Sequence, residues 1–224
     1  MPTAFIIGAS RGIGLELARQ YRAQGWRVLA TARSSAACEQ LLELGIEAHQ
    51  ADILNVEHCA ALAWKLDDEK LDIAILNAGI YGPDTQGLQT PQVTDFDSVM
   101  QTNVLAAMRL LPIVAPLVGA AGGKLAVISS AMASMGERSQ NSGWLYRASK
   151  AALNSVLCDV ARAMPQHQAI CVSLHPGWVR TDMGGAAADL SVEQSAAGIR
   201  QTLSKLSAEQ NGAFLNYDGR AIAW

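Results

Sequence analysis

Short apolar runs alternate along this chain with longer stretches whose apolar residues recur every three or four positions. Thr3–Ile7, Trp26–Thr31, Ile46–Gln50, Leu71–Leu76, Gly123–Ser130, Gln168–Leu174 and Ala213–Asn216 have the length and composition of strands. Between them, Leu15–Gln24, Ser34–Leu44, Asn55–Glu69, Phe96–Leu111, Tyr146 to about Met164 and Ser191–Leu206 read as helices. Thr94-x-x-Asp97 and Ser191-x-x-Gln194 offer capping-box starts, and Gly25 closes the first helix. Strands that alternate with helices imply a parallel sheet covered on both faces. The expected fold is therefore α/β, a doubly wound parallel sheet of about seven strands. No repeat, low-complexity segment or linker interrupts the alternation, so residues 1–224 are expected to form a single domain.

Composition removes several classes of function. Half of the 224 residues are apolar and 17% are charged, which describes a packed globule. A net charge of −3 with no run of Lys or Arg offers nothing to nucleic acid or an anionic membrane. The start, Met1 to Gly8, enters a strand directly and does not read as a signal peptide. The most apolar run, Leu110 to Ala121, is short for a membrane span and carries Pro112 and Pro116. Cys38, Cys59, Cys158 and Cys171 are scattered, as thiols of a reducing cytoplasm would be, and His49, His58, His167 and His175 form no pair at metal-ligand spacing. No metal is assigned.

The chemistry lies in the turns. Gly8-Ala9-Ser10-Arg11-Gly12-Ile13-Gly14 stands between the first strand and the first helix. Glycines there let the backbone approach a pyrophosphate, while the new helix presents free N–H groups. The same turn could also be a plain strand-to-helix connection. An acidic residue about 20 positions on would hold a ribose 2′-hydroxyl; here Ala32 and Arg33 stand in its place. Arg33 and Arg11 suit a 2′-phosphate, unless both are solvated surface charges. Asp52 and Asn77-Ala78-Gly79 follow the third and fourth strands, at the sheet edge where such folds bind ligands. Ala131 to Gly143 has no clear period and reads as a lid or a substrate wall. Tyr146 and Lys150 lie four apart on a helix and can address one point. An ammonium beside the phenol is expected to pull its pKa below the free value of about 10. A surface pair would show the same spacing.

Taken in order, Gly8-x-x-x-Gly12-x-Gly14, Asp52, Asn77-Ala78-Gly79, Asn103, Ser130, Tyr146-x-x-x-Lys150 and Pro176-Gly177 resemble the short-chain dehydrogenase/reductase family over nearly the whole chain. The step from Ser130 to Tyr146 and the ending Asp218 to Trp224 look like the branch of C-factor and sniffer-like carbonyl reductases. The resemblance implies a Rossmann-type fold, NADP(H) as cofactor and a small-molecule carbonyl as substrate. It also implies that Tyr146 is the general acid or base, that Ser130 holds the substrate oxygen and that Lys150 binds the ribose. Asn103 would interrupt its helix and relay protons through a water. Gly8, Ser10, Arg11, Gly12, Ile13, Gly14, Arg33, Asn77, Ala78 and Gly79 would line the cofactor. Asp52 with Ile53 would take the adenine, and Pro176, Gly177, Val179 and Thr181 would cover the nicotinamide. Ile7 and Leu76 depart from the family pattern and are expected to alter packing only. Ser129, the neighbour of Ser130, is the other candidate on its strand. A C-factor-like protein that binds the nucleotide, signals and turns over little is the alternative function. Met132, Met135, Trp144 and Trp178 are candidates for the substrate wall. A homodimer or homotetramer is expected, paired through the two long helices that carry Ala106, Ala107, Ala151, Ala152 and Ala161.

Overall fold

Seven parallel strands form one sheet in a computed structural model that describes residues 1–164 and 169–224. They are β1 (Thr3–Ile7), β2 (Arg27–Ala32), β3 (Glu47–Gln50), β4 (Ile73–Leu76), β5 (Lys124–Ile128), β6 (Ile170–His175) and β7 (Ala213–Asn216). Their order is β3-β2-β1-β4-β5-β6-β7, so the winding reverses between β1 and β4. That reversal opens a crevice at the carboxyl ends of the two strands. The helices are α1 (Gly12–Ala23), α2 (Ser35–Glu43), α3 (Val56–Lys65), α4 (Val93–Met100), α5 (Ala106–Ala121), α6 (Trp144–Ala163) and α7 (Val192–Lys205). This is the expected doubly wound, Rossmann-type sheet.

Strand alternation builds the two layers. Phe5, Ile7, Ala74, Leu76, Leu125 and Val127 face one way and pack with Leu62 of α3, Leu110 and Val114 of α5 and Leu157 of α6. Ala4, Ile6, Val28, Ile75 and Ala126 face the other way and pack with Leu17 of α1, Leu41 of α2 and Ile199 of α7. Ile7 and Leu76 are thus buried neighbours in one core and touch only packing.

Several boundaries moved. The helix expected from Phe96 to Leu111 begins at Val93 and runs to Ala121 through a π-helical turn at Gln101–Leu105. Gln92 is its N-cap and makes no side-chain cap bond, so the Thr94-x-x-Asp97 box does not form. The Ser191 box does form: Ser191 Oγ accepts from Gln194 N–H, and Gln194 Oε1 accepts from Ser191 N–H. Pro112 and Pro116 do not end α5, because both lie on its exposed side, where water can serve the carbonyls left without a donor. The resulting 29-residue helix is long and apolar enough to cross a membrane, yet half of its apolar stretch is buried inside the protein. Ala106, Ala107 and Ala161, expected on a pairing surface, are buried in the core, while Ala151 and Ala152 are half-buried. The sixth strand is described from Ile170; its expected start at Gln168, and His167, lie outside the described residues.

Candidate active site

The site assembles at the carboxyl edge of the sheet, from turns that the strand order brings side by side. Gly8 leaves β1 with φ +88°, a conformation that favours glycine. Its N–H donates to Thr31 Oγ1 of β2 (2.9 Å), and Asn77 Nδ2 donates to its carbonyl (2.8 Å). A β-carbon on Gly14 would stand 2.5 Å from that same Asn77 nitrogen, so α1 can lie this close only with glycine there. Arg11 is the N-cap of α1 and makes no side-chain cap bond. The first N–H groups of α1, around Gly12 and Ile13, therefore have no capping side chain and suit an anionic oxygen. Ser10 and Arg11 are exposed beside them.

At the next strand ends, Arg33 is exposed and has no ion-pair partner among the described residues. Asp52 is half-buried. Its Oδ1 accepts from Leu54 N–H (3.0 Å), and its own N–H donates to His58 Nδ1 (3.1 Å). Ile53 is buried beside it. His58 was weighed in the sequence only as a metal ligand; nothing in its spacing marks it as the group that holds the Asp52 turn. Gly79 brings the backbone between the two polar groups behind the site. A β-carbon there would lie 3.1 Å from Asn103 Oδ1 and 3.2 Å from Lys150 Nζ.

Asn103 is 2% exposed and lies in the π-helical turn, whereas a polar residue in mid-helix ordinarily faces solvent. Its Oδ1 accepts from Ile80 N–H (2.9 Å), and its Nδ2 donates to Ile80 carbonyl (2.8 Å) and Ser149 Oγ (2.9 Å). The π turn locally interrupts the α-helix around this side chain, as helices often do at working sites.

Tyr146 and Lys150 are both buried on one face of α6. Lys150 Nζ lies 5.8 Å from the centre of the Tyr146 ring and donates to the Ile128 carbonyl at the end of β5 (2.7 Å). Ser130 follows that strand, and its hydroxyl neighbours the Tyr146 phenol and favours phenolate. Ser129 is buried, and its Oγ has no hydrogen-bond partner among the described residues. The expected drop in the Tyr146 pKa is not found. Burial pushes the phenol up to about 12, Ser130 opposes the rise and Tyr81 adds to it. The lysine spends its bond on a carbonyl, and burial brings it down to about 8. Desolvation is the largest cause of both shifts.

The cover comes from three segments. After β6, Pro176 and Gly177 lead to a strap in which Val179 bridges Leu190 and Thr181 Oγ1 accepts from Gly184 N–H (3.1 Å). Thr181 reaches Gly12, and Asp182 pairs with Arg11. Arg11 therefore engages the strap, while Arg33 keeps its head in solvent. Arg147, buried beside Tyr146, donates to the carbonyls of Ser142 (2.8 Å) and Met132 (3.4 Å) and so ties the 131–143 segment to α6. Tyr81 closes the third side, with its ring centre 4.7 Å from that of Tyr146. Sequence reasoning missed both Arg147 and Tyr81, since neither residue is marked by spacing or composition. Met132 and Trp144 are half-buried near this wall, whereas Met135 and Trp178 are largely exposed. A cleft of about 660 Å³ lined by Tyr21, Trp26, Lys124 and Arg200 lies at the opposite edge of the sheet, remote from Tyr146.

This fold and edge define a class, and comparison with known proteins names it. Residues 2–190 match the family model of the short chain dehydrogenases, and the chain belongs to that family. Carbonyl reductase Sniffer of Drosophila melanogaster superposes with a TM-score of 0.93 at 29% identity, covering 100% of both chains. A short-chain dehydrogenase/reductase from Burkholderia multivorans, solved with NADP bound, gives 0.90 at 34% identity over 100% of this chain and 99% of its own. The C-signal of Myxococcus xanthus is 32% identical over 73% of this chain and 99% of its own length. The chain is an oxidoreductase-family protein of the carbonyl reductase and sniffer kind.

Proposed function

We propose that this chain is an NADPH-dependent carbonyl reductase, a single domain of residues 1–224 that carries cofactor and catalytic sites together. The observation that carries the reading is the convergence of four side chains. Ser130, Tyr146, Lys150 and Asn103 meet at the crevice edge, and all four are buried. The bound nicotinamide supplies the hydride; position, dryness and the proton come from the protein. The uncapped start of α1, the Gly8 turn, Asp52 with Ile53, Asn77 to Gly79, Lys150 and the strap from Pro176 through Val179 to Thr181 would hold the cofactor.

Ser130 Oγ donates to the carbonyl oxygen, where negative charge builds as the carbon is reduced. Tyr146 passes its proton to that oxygen and receives it back in the reverse direction. A phenol raised to about 12 stays protonated at neutral pH, yet still releases a proton more readily than the alcohol being formed. Lys150, anchored on Ile128, sets positive charge behind the phenolate. Arg33, with Arg11 released from Asp182, suits a 2′-phosphate; the NADP bound to the Burkholderia protein supports that choice. Small carbonyl compounds are the substrates. The cysteines, all free and mostly buried, fit a cytoplasmic protein.

The likeness to the C-signal favours a second reading, a nucleotide-binding signal with little turnover. A buried proton donor and its neighbours have no task in such a protein. NADPH oxidation by the purified chain across aldehydes, ketones, dicarbonyls and quinones tests the choice. Turnover that Tyr146→Phe abolishes supports the reductase. An inert wild type that still binds NADPH would support the signal.

A further inference from the structure

Asp218 to Trp224 carries the resemblance to one branch of the family but no part of the proposed chemistry. The structure gives it a path. Gly219, at φ +87°, turns the chain back beside β7, where Asn216 N–H donates to the Arg220 carbonyl (2.7 Å) and Ile222 N–H to the Phe214 carbonyl (2.9 Å). The Trp224 ring then lies with its centre 5.4 Å from that of Phe214, which is buried in the strand.

From that anchor the segment grips the loop that follows Ser130. Gly136 N–H donates to the Trp224 main-chain oxygen (2.9 Å), Ser134 Oγ to the Ala223 carbonyl (2.6 Å) and Ala223 N–H to Glu137 Oε1 (3.0 Å). A β-carbon on Gly136 would stand 3.2 Å from Ala223 Cβ, so the two stretches are in close contact. Ser134 is the hub. It is 1% exposed, its Oγ also accepts from Glu137 N–H (3.0 Å), and its N–H donates to the Ala131 carbonyl (3.0 Å). That last bond closes the 3₁₀ turn Ala131–Ala133, which Ser130 caps. Ser130 Oγ accepts from Met132 N–H (3.2 Å), and its carbonyl accepts from Ala133 N–H (2.8 Å). A hydroxyl held as an acceptor keeps its proton free for a substrate oxygen.

We propose that Asp218–Trp224 is a latch that sets Ser130 in place through Ser134, which makes Ser134 and Trp224 positioning residues for carbonyl reduction. The proposal rests on the reductase reading and names what aims its oxyanion donor. Arg147 holds the two ends of the loop at the Met132 and Ser142 carbonyls, and the latch holds the stretch between. A donor works only where it is aimed, and displacement by about 1 Å can cost roughly 10²-fold.

The test follows kcat/KM for the carbonyl that the wild type reduces fastest with NADPH. Ser134→Ala breaks the hub, and Trp224→Ala takes the ring off Phe214 and frees the segment. Each is expected to lower kcat/KM by about tenfold or more, with NADPH affinity unchanged. In a Ser130→Ala background the same substitutions should cost less than about twofold, since the donor they aim is gone. Equal losses in both backgrounds, or no loss in the wild-type background, overturn the proposal.

Amide exchange followed by NMR needs no turnover and separates this failure from that of the reductase reading. Met132 N–H reports on Ser130 Oγ, and Gly136 N–H on the latch itself. Both are expected to exchange about tenfold faster in Trp224→Ala than in wild type, with Ile6 in the core of the sheet unchanged. Faster exchange at Gly136 alone overturns the proposal, because the latch would then stop short of Ser130. Unchanged exchange at both overturns it, and so does an equal rise at Ile6, the mark of a merely structural segment. Faster exchange at both, beside a wild type that reduces no carbonyl, keeps the latch and overturns the reductase.

Discussion

Lys150 and Tyr146 share a helix face, but the ammonium donates to the Ile128 carbonyl and stands 5.8 Å from the phenol ring centre. The lysine is thus anchored on the backbone behind the tyrosine. Its charge is conditional, because burial brings Lys150 down to about 8 while Tyr146 keeps its proton up to about 12. Carbonyl reduction is expected to hold below pH 8 and to decline above it, as the phenolate formed in the reaction loses its positive neighbour. Lys150→Met should lower kcat/KM and remove that alkaline decline. A pH–rate profile unchanged in Lys150→Met would show that the limb belongs to another group.

Tyr146→Phe keeps the ring against Tyr81 and deletes the proton donor. General acid catalysis is worth typically 10²–10⁴-fold, so turnover is expected to fall by about that factor. NADPH affinity, read by fluorescence titration, should barely move. A variant within a few-fold of wild type would assign Tyr146 to packing.

Cofactor preference should follow Arg33. The residue is exposed, free of any acidic partner among the described residues, and stands at the end of β2 where an acidic side chain would select NADH. Losing one charge-assisted phosphate contact costs about 1.5–3 kcal/mol, roughly tenfold or more in affinity. Titration of both cofactors into wild type and Arg33→Ala is expected to show NADPH weakened and NADH unchanged. Arg11→Ala should cost less, since Arg11 must leave Asp182 before it can help. Equal wild-type affinities for the two cofactors would exclude the assignment.

His175 should make the fold acid-sensitive. Burial brings its pKa down to about 4, against the pull of Asp218, and its Nδ1 has no partner. Between pH 4 and 6.5 the unfolded histidine takes up a proton that the native one refuses, so stability rises with pH across that window and is lost as pH falls through it. The effect is on the order of 3 kcal/mol by pH 4. Urea unfolding at pH 4.5 and 7 should show a smaller difference in His175→Gln than in wild type. His49, also lowered by burial, retains part of the slope in both proteins.

Association is expected through the long helix from Val93 to Ala121, by residues other than the alanines that the sequence suggested. Val93, Phe96, Leu105 and Met108 are the large apolar side chains left exposed along it. Light scattering is expected to find a dimer or tetramer, and Met108→Glu should shift it toward the monomer. A wild type seen only at 23.7 kDa would rule the pairing out.

The order of elements was legible in the residues because it depends on short-range physics. The alternation of faces in β1, β4 and β5, the Gly8 turn and the Ser191 box each need only a few neighbours in the chain to be read. Tyr146 and Lys150 could be paired from their spacing for the same reason. What they do to each other could not, since the Tyr146 pKa depends on how much water the fold removes and on Ser130 and Tyr81, far away in the chain. The helix read only to Leu111 runs on through Pro112 and Pro116, because the packing of α5 turns both to solvent. A mid-helix position alone would send Asn103 to solvent; the π turn buries it against Ile80. Spacing along the backbone determined which side chains could meet. Burial, which sums over the whole tertiary structure, decided what charge each would carry and which neighbour would claim its hydrogen bond.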